Sequence, residues 1–412
     1  MDDTLKQKLR DRLVARRRDQ FAFLADLVRV PSENPPGDCT AHAEHAAGLL
    51  SQLGFEVKRY AVPDEEAAAY GRAGVVNLVA RRQPGGNPAL VLSANGDTPP
   101  AGDGWRDDPY DPVISDGKIS GRGVIRSKSD IAAYAFAILA LDDVAPGRSG
   151  GVELRITYDG ETGGDLGAKW LLENAPGKPG AAIVGGIGHE IITTACGRIH
   201  MDVEIVGKSA PASCPADGRD AVEAMSRVLV AIYELRDEYR DVYSEVPGID
   251  APMLAVSEIH GGESPITIPG RAVLKLDRRV LPEEDAGAVE REIHNLVGTS
   301  VVKVEGVTCR VRRSNMVPAL KRTAATSPLI KSLAEHGSEV FGVPLPVRGT
   351  PHITDGCWYA AAGIPTVLYG AGPPTPGGSD LSGADETLDL DDLRKTTEVL
   401  TLMMAESSQP KG

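Results

Sequence analysis

Aromatic residues are scarce in this chain of 412 residues: Phe, Trp and Tyr make up 4% of it. A core of that composition has to be built from Val, Leu, Ile and Ala. Positive charge is also short, with 44 Lys and Arg against 58 Asp and Glu and a formal net charge of −14. That balance excludes a nucleic-acid partner, whose phosphates need a basic footprint. The basic cluster Arg12, Arg16, Arg17 and Arg18 lies in a mixed-charge segment and reads as a solvated helix face. No apolar run reaches the ~18–20 residues of a membrane span, so no membrane partner is expected. The five cysteines are odd in number and scattered without CxxC spacing (Cys39, Cys196, Cys214, Cys309, Cys357). They exclude a disulfide framework and a cysteine-held structural zinc site, and they fit reduced thiols. The first residues, Met1-Asp2-Asp3-Thr4-Leu5-Lys6, lack the apolar stretch of a signal peptide. A cytoplasmic location is the expectation. There is no internal repeat and no low-complexity segment.

What is present is the composition of a globular protein, 42% hydrophobic and 25% charged, at a length that favours two domains. Residues 5–30 carry Leu13, Phe21, Phe23, Leu24, Leu27 and Val28 at helical spacing, and 40–53 form a second amphipathic helix. Phe55 to Tyr60 and Val75 to Arg81 read as strands. Leu90 to Ala94 is a short continuous apolar run, as a strand buried on both faces requires. A helix over 129–142 and a strand from Val152 to Tyr158 follow. Alternation of this kind predicts an α/β sheet with parallel central strands, flanked by helices. At Gly197 the pattern changes. Ile199, Met201, Val203 and Ile205 alternate along a half-buried strand, a helix covers 219–243, and strands follow from Met253 to Ile259 and from Ala272 to Asp277. A helix near 283–297 and a strand from Val301 to Val311 complete an inserted α+β sandwich. The expected domains are therefore 1–197 with 316–412, and an inserted lid or dimerisation domain over 198–315 through which the chain would form a homodimer.

The chemistry-bearing residues are concentrated after the buried run. Ser93-Ala94-Asn95-Gly96-Asp97 ends the strand and leads through Trp105, Asp108-Pro109-Tyr110 and Asp116-Gly117 to Gly121-Arg122-Gly123, then Arg126, Lys128 and Asp130. This stretch resembles the co-catalytic zinc peptidases: aminoacylases, acetylornithine deacetylases, succinyl-diaminopimelate desuccinylases and carboxypeptidase G. Their strand ends His-x-Asp, and their later segment reads Gly-Arg-Gly-x-x-Asp-x-Lys. The resemblance covers nearly the whole chain and implies a two-domain zinc-exopeptidase-like fold. It also implies two zinc ions that activate a bridging water and polarise the scissile carbonyl.

Position by position, the resemblance places Asn95 at a ligand His and Arg126 at the metal-bridging Asp. An amide oxygen is a poor zinc ligand beside imidazole, and a guanidinium keeps its proton. A unit charge ~4 Å from each dication charge is opposed by about 4 kcal/mol at an effective dielectric near 20. Gly160 of Asp159-Gly160-Glu161 stands at the general base, while Glu161 keeps a ligand position. Gly186 replaces a ligand carboxylate, Pro211 an oxyanion-stabilising His, and Ser382 the last ligand His. No metal and no other cofactor is therefore expected.

The same comparison makes Arg126, Glu161, Asp97, Lys128 and His352 the catalytic candidates. Asn95, Arg279, Asp355 and Ser382 are the substrate-binding ones. Arg126 is expected to pair with Glu161, Asp97 or both in the vacated metal space, and Asp97 is expected to be free of its family role of orienting the His. Arg279 either holds a substrate carboxylate or closes a strand-end salt bridge. Cys357 reads as a small buried residue. His42, His45, His200, His260, His294 and His336 read as surface residues. Three functions stay open. The first is a metal-independent enzyme acting on a small amide-bearing or amino-acid-like carboxylate by hydrolysis, acyl transfer, condensation or cyclisation. The second is a non-catalytic binding or regulatory protein. The third is a zinc hydrolase with substitute ligands such as His189, Glu190 and Glu161.

Overall fold

A computed structural model describes residues 1–35, 37–83, 86–147, 151–302, 304–372 and 383–407. The chain falls into two compact units. The first comprises Met1–Thr193, Arg322–Arg348 and Thr354–Gly412, and the second comprises Thr194–Lys321 and Gly349–Ile353. In chain order the first run contains α1 (Asp3–Val28), α2 (Thr40–Gln52), β1 (Glu56–Ala61), α3 (Asp64–Ala69), β2 (Val76–Arg81) and β3 (Leu90–Asn95). It continues with β4 (Val113–Ser115), β5 (Lys118–Ser120), α4 (Lys128–Val144), β6 (Val152–Thr157), α5 (Trp170–Asn174), β7 (Ala182–Val184) and β8 (Ile191–Ala195). Next come β9 (Gly197–Val206), β10 (Ala210–Pro211), α6 (Ala221–Glu238), β11 (Met253–Gly261), β12 (Thr267–Ile268), β13 (Arg271–Val280), α7 (Ala286–Val301) and β14 (Thr308–Val317). The chain closes with α8 (Pro328–Phe341), β15 (Val347–Thr350), α9 (Gly356–Ala361), β16 (Thr366–Leu368), β17 (Thr387–Asp389) and α10 (Leu390–Ser407).

An eight-stranded sheet in the order β1-β2-β6-β3-β7-β16-β8-β15 organises the first unit. Its centre is parallel, β6 with β3, β3 with β7 and β7 with β16, and its β1–β2 edge is antiparallel. The central strands are buried along their length, which is why β3 reads as an unbroken apolar run. Helix α4 is buried on nearly all sides; the Ala- and Leu-rich run from Ile131 to Leu141 lets it pack between the sheet and helices α1 and α10, with its charged residues confined to its two ends.

The sequence pattern missed the hairpin of β4 and β5, which pairs with β17 in a three-stranded sheet. Its two-residue turn is Asp116-Gly117, with φ of 50° and 76°, the left-handed pair that matches strand twist.

The second unit is an antiparallel sheet in the order β11-β13-β9-β14. Ile199, Met201, Val203 and Ile205 form its buried stripe, joined by Val228 and Ile232 of α6 and by Ile293 and Val297 of α7. Here the structure corrects the expected strand from Val301. Val301 completes the i, i+4 apolar stripe of α7 with Val289, Ile293 and Val297, so the helix keeps it and β14 begins only at Thr308. No helix among the described residues is long and apolar enough to cross a membrane.

Candidate active site

Open α/β sheets place their ligands beyond the carboxyl ends of the parallel strands. In the first unit Asn95 of β3 sits in register with Thr157 of β6, so the segments 95–97 and 157–161 leave the sheet side by side. Asp97 is fully buried. Its Oδ2 accepts from Asn34 Nδ2 and from the Glu161 amide, both at 3.1 Å, and its Oδ1 accepts from the Gly160 amide at 3.2 Å. Asp97 thus has a new task where the expectation was a freed group: it fixes the turn that carries Glu161. Burial raises its carboxyl above the usual range, against the hydrogen bonds it receives. A group so enclosed positions the site and does not meet substrate.

Glu161 is open to solvent on one side and walled by protein on the others. Its Oε1 accepts from Asn95 Nδ2 at 3.3 Å, and the same amide nitrogen donates to the Asp97 carbonyl at 3.1 Å. Desolvation and then the Asp97 charge push its carboxyl well above the ordinary value, while the Arg126 charge pulls it back. Two further carboxyls crowd in. Asp355 accepts from Thr157 Oγ1 at 2.9 Å, and burial lifts it to about 7. Asp159 accepts from the Leu166 amide at 2.8 Å, and burial lifts it to about 6. Burial, with repulsion among them, raises the carboxyls of Asp97, Glu161, Asp355 and Asp159 above their ordinary range, because both effects disfavour the charged forms.

Other expected residues are placed differently. Arg126 is exposed and forms no hydrogen bond or ion pair with any described residue, so the expected pairing with Asp97 or Glu161 is not made, although its charge is felt at Glu161. The turn that carries it projects the guanidinium outward, where hydration compensates it. Lys128 is wholly buried, donates from Nζ to the Val30 carbonyl at 3.1 Å and lies 5.9 Å from the centre of the Tyr110 ring. Desolvation lowers its ammonium to about 7. Its part is internal, not catalytic.

Arg279, in the second unit, spends its fork on Asp277, at 3.0 and 3.1 Å, so the strand-end salt bridge is the arrangement present. His352 also belongs to the second unit, where its amide donates to Thr350 Oγ1 at 3.3 Å. Ser382 lies outside the described residues. His189 is bound to Asp392 at 2.8 Å and Glu190 to Arg348 at 2.7 Å, which commits both elsewhere than to Glu161. Cys357 is buried.

The structure also corrects His42 and His336, both buried. His42 accepts at Nδ1 from the Tyr158 hydroxyl at 2.9 Å while Nε2 donates to the Leu27 carbonyl at 3.2 Å. Desolvation keeps the ring neutral. The apolar positions around it on α2 carried this signal, since Ala43, Ala46 and Ala47 flank it on the buried face. Asp159, Asp130 and Asn34 are further site residues to which sequence reasoning assigned no role.

Gly160 explains how Asn95 reaches Glu161. A Cβ at position 160 would lie 2.7 Å from Asn95 Cβ. Gly160→Ala is therefore expected to lose about 1–3 kcal/mol in chemical denaturation through overpacking. Adding Asn95→Gly should return part of that loss, so a double-mutant cycle that is strictly additive would refute the interlock.

A sequence profile for Peptidase family M20/M25/M40 matches residues 91–406, which span β3 through α10. The chain belongs to this family. Among curated relatives, acetylornithine deacetylase of Vibrio cholerae serotype O1 is 29% identical over 296 residues, covering 70% of this chain and 74% of that protein. The acetylornithine deacetylase of Vibrio vulnificus (strain CMCP6) is 31% identical over 276 residues, covering 64% and 68%. The dipeptidase Dug1p of Saccharomyces cerevisiae superposes with a TM-score of 0.76 over 100% of both chains at 14% identity. A tripeptidase of Staphylococcus aureus does so at 0.71 over 96% of this chain and 99% of that one, at 18% identity. These two likenesses establish the M20 fold. Among the described residues of this M20 chain, no three His, Cys, Asp or Glu side chains gather as a metal-holding group.

Proposed function

We propose that this M20 protein acts on the amide bond of a small amino-acid-like carboxylate and does so without the two-zinc centre of its relatives. The carrying observation is the Glu161 carboxyl, presented to solvent by the Asp97-held turn and capped by Asn95 at 3.3 Å. The donor set at the positions of the zinc ligands supports the metal-free reading. Asn95 and Arg126 offer an amide and a cation, Gly186 offers nothing, and Glu161 is the one carboxylate left among the described positions. Such a set does not fit two dications.

Glu161, with its affinity for a proton raised by its walls and by Asp97, is suited to deliver that proton to a leaving amine and, once ionised, to draw one from an attacking water or amine. Asn95, with its amide nitrogen bonded to both Glu161 and the Asp97 carbonyl, holds that carboxyl in place. The named acetylornithine deacetylases point to an N-acyl amino acid as the substrate class. Hydrolysis and acyl transfer share this chemistry, differing only in whether water or an amine attacks.

The test is turnover of a panel of N-acyl amino acids before and after dialysis against a chelator. Activity should survive dialysis, and Glu161→Gln should lose about 10²–10⁴-fold, the range of general acid–base catalysis. Activity that disappears on dialysis and returns with zinc would overturn the reading.

A further inference from the structure

Ser127 adopts φ 66° and ψ −88°. An L-residue holds such a backbone only when its surroundings impose it. The imposing group is Asp130, one turn into α4 and buried. Its Oδ1 accepts from the Ala371 amide at 2.7 Å, and the Ser127 and Gly186 amides also donate to the carboxylate. A Cβ at Gly370 would lie 2.0 Å from Asp130 Oδ1, and one at Gly185 would lie 2.6 Å from Oδ2. The glycines therefore mark where the carboxylate passes. One buried side chain thus staples three loops at strand ends: the turn at 127, the loop after β7 and the loop after β16.

Immediately before this turn stands Arg126, exposed and without a hydrogen bond or ion pair to any described residue. Its charge still reaches the site, since it draws the Glu161 and Asp130 carboxyls down. An uncommitted guanidinium beside a proton-moving carboxyl is matched to an anion, and its planar fork to a carboxylate.

We propose that the Ser127 turn, stapled by Asp130, positions Arg126 to bind a carboxylate adjoining the substrate's amide. The amide half of this statement rests on the reading of Glu161 above, and the carboxylate half stands on Arg126 alone. The test therefore measures binding, so that failure to detect turnover bears only on the former.

Dissociation constants of the full chain for N-acetylglycine and its neutral isostere N-acetylglycinamide are compared by calorimetry. The wild type should prefer N-acetylglycine by about tenfold, as a charge-assisted pair supplies. Arg126→Gln should bring the two constants within about twofold. Ser127→Gly, which removes the backbone strain, should raise the thermal midpoint yet reduce the preference, because the turn no longer has to present Arg126 one way. Equal binding of both probes by the wild type, or a preference retained in Arg126→Gln, overturns the assignment of Arg126. A preference retained in Ser127→Gly despite a raised midpoint overturns the positioning role of the turn.

Discussion

Replacing Arg122 with alanine will cost about 3–5 kcal/mol of stability, the toll of leaving a buried charge without its partner. Arg122 is 1% exposed, and its Nη1 bonds Glu386 Oε1, while Nη2 bonds the carbonyls of Pro100 and Ala101. The second Glu386 oxygen accepts from the Gly123 amide at 2.8 Å. The pair thus ties the loop after β3, the Gly-Arg-Gly turn and the entry to β17 into one node, with the Trp105 ring 5.3 Å from the guanidinium. Alanine orphans two carbonyls as well as the carboxylate. Urea denaturation monitored through tryptophan fluorescence reads the change. A shift below about 1 kcal/mol, the worth of an exposed pair, would mean that the node is not closed as described. Arg122→Met with Glu386→Leu should lose less than the two single variants together, because the pair leaves as a unit.

Asp355→Asn is expected to stabilise the protein, and only above a certain pH. Burial is the leading reason that the Asp355 carboxyl rises from 3.8 to about 7, followed by repulsion from Asp97 and Asp159 against the Thr157 hydrogen bond. Its Oδ1 has no hydrogen-bond partner among the described residues. In the folded chain Asp355 keeps its proton up to about pH 7, and in the unfolded chain it loses it near 3.8. Unfolding between those values releases a proton, so wild-type stability falls as pH rises through this window and levels off above it. At about 1.4 kcal/mol per pH unit, the full effect is about 4 kcal/mol, an order of magnitude for one buried group. Asparagine retains an oxygen for Thr157 and carries no charge. The two proteins should therefore match near pH 4, and the variant should pull ahead by pH 8. Parallel stability curves for the two proteins from pH 4 to 8 would remove the Asp355 assignment.

Much of this architecture was legible because burial leaves periodic traces. The unbroken Leu90–Ala94 run announced a strand buried on both faces, and the alternation from Ile199 to Ile205 announced a half-buried one, as β3 and β9 bear out. Val301 misled because a β-branched residue at the end of a helix's apolar stripe looks the same as the start of a strand. The β4–β5 hairpin escaped because strands of three residues carry too little pattern, although its Asp-Gly turn was in view.

At the site the division is sharper. Which groups stand at the strand ends was determined by the sequence alone: Asn95 and Arg126 where a His and an Asp belong in the family motif, Glu161 kept, and a chain of the M20 type around them. Where those groups point was decided only by tertiary structure. Arg126 is exposed and forms no ion pair with any described carboxylate, Lys128 and Asp97 are sealed beneath, and Asp130 holds three loops together. The physical reason is that identity is written at each position, whereas burial and hydrogen-bond partners arise from residues far apart in the chain. Asn34 meets Asp97, Asp130 meets Ala371 and Arg122 meets Glu386. No local pattern encodes such encounters, and they decide which charges are hydrated, which are neutralised and which remain free to act.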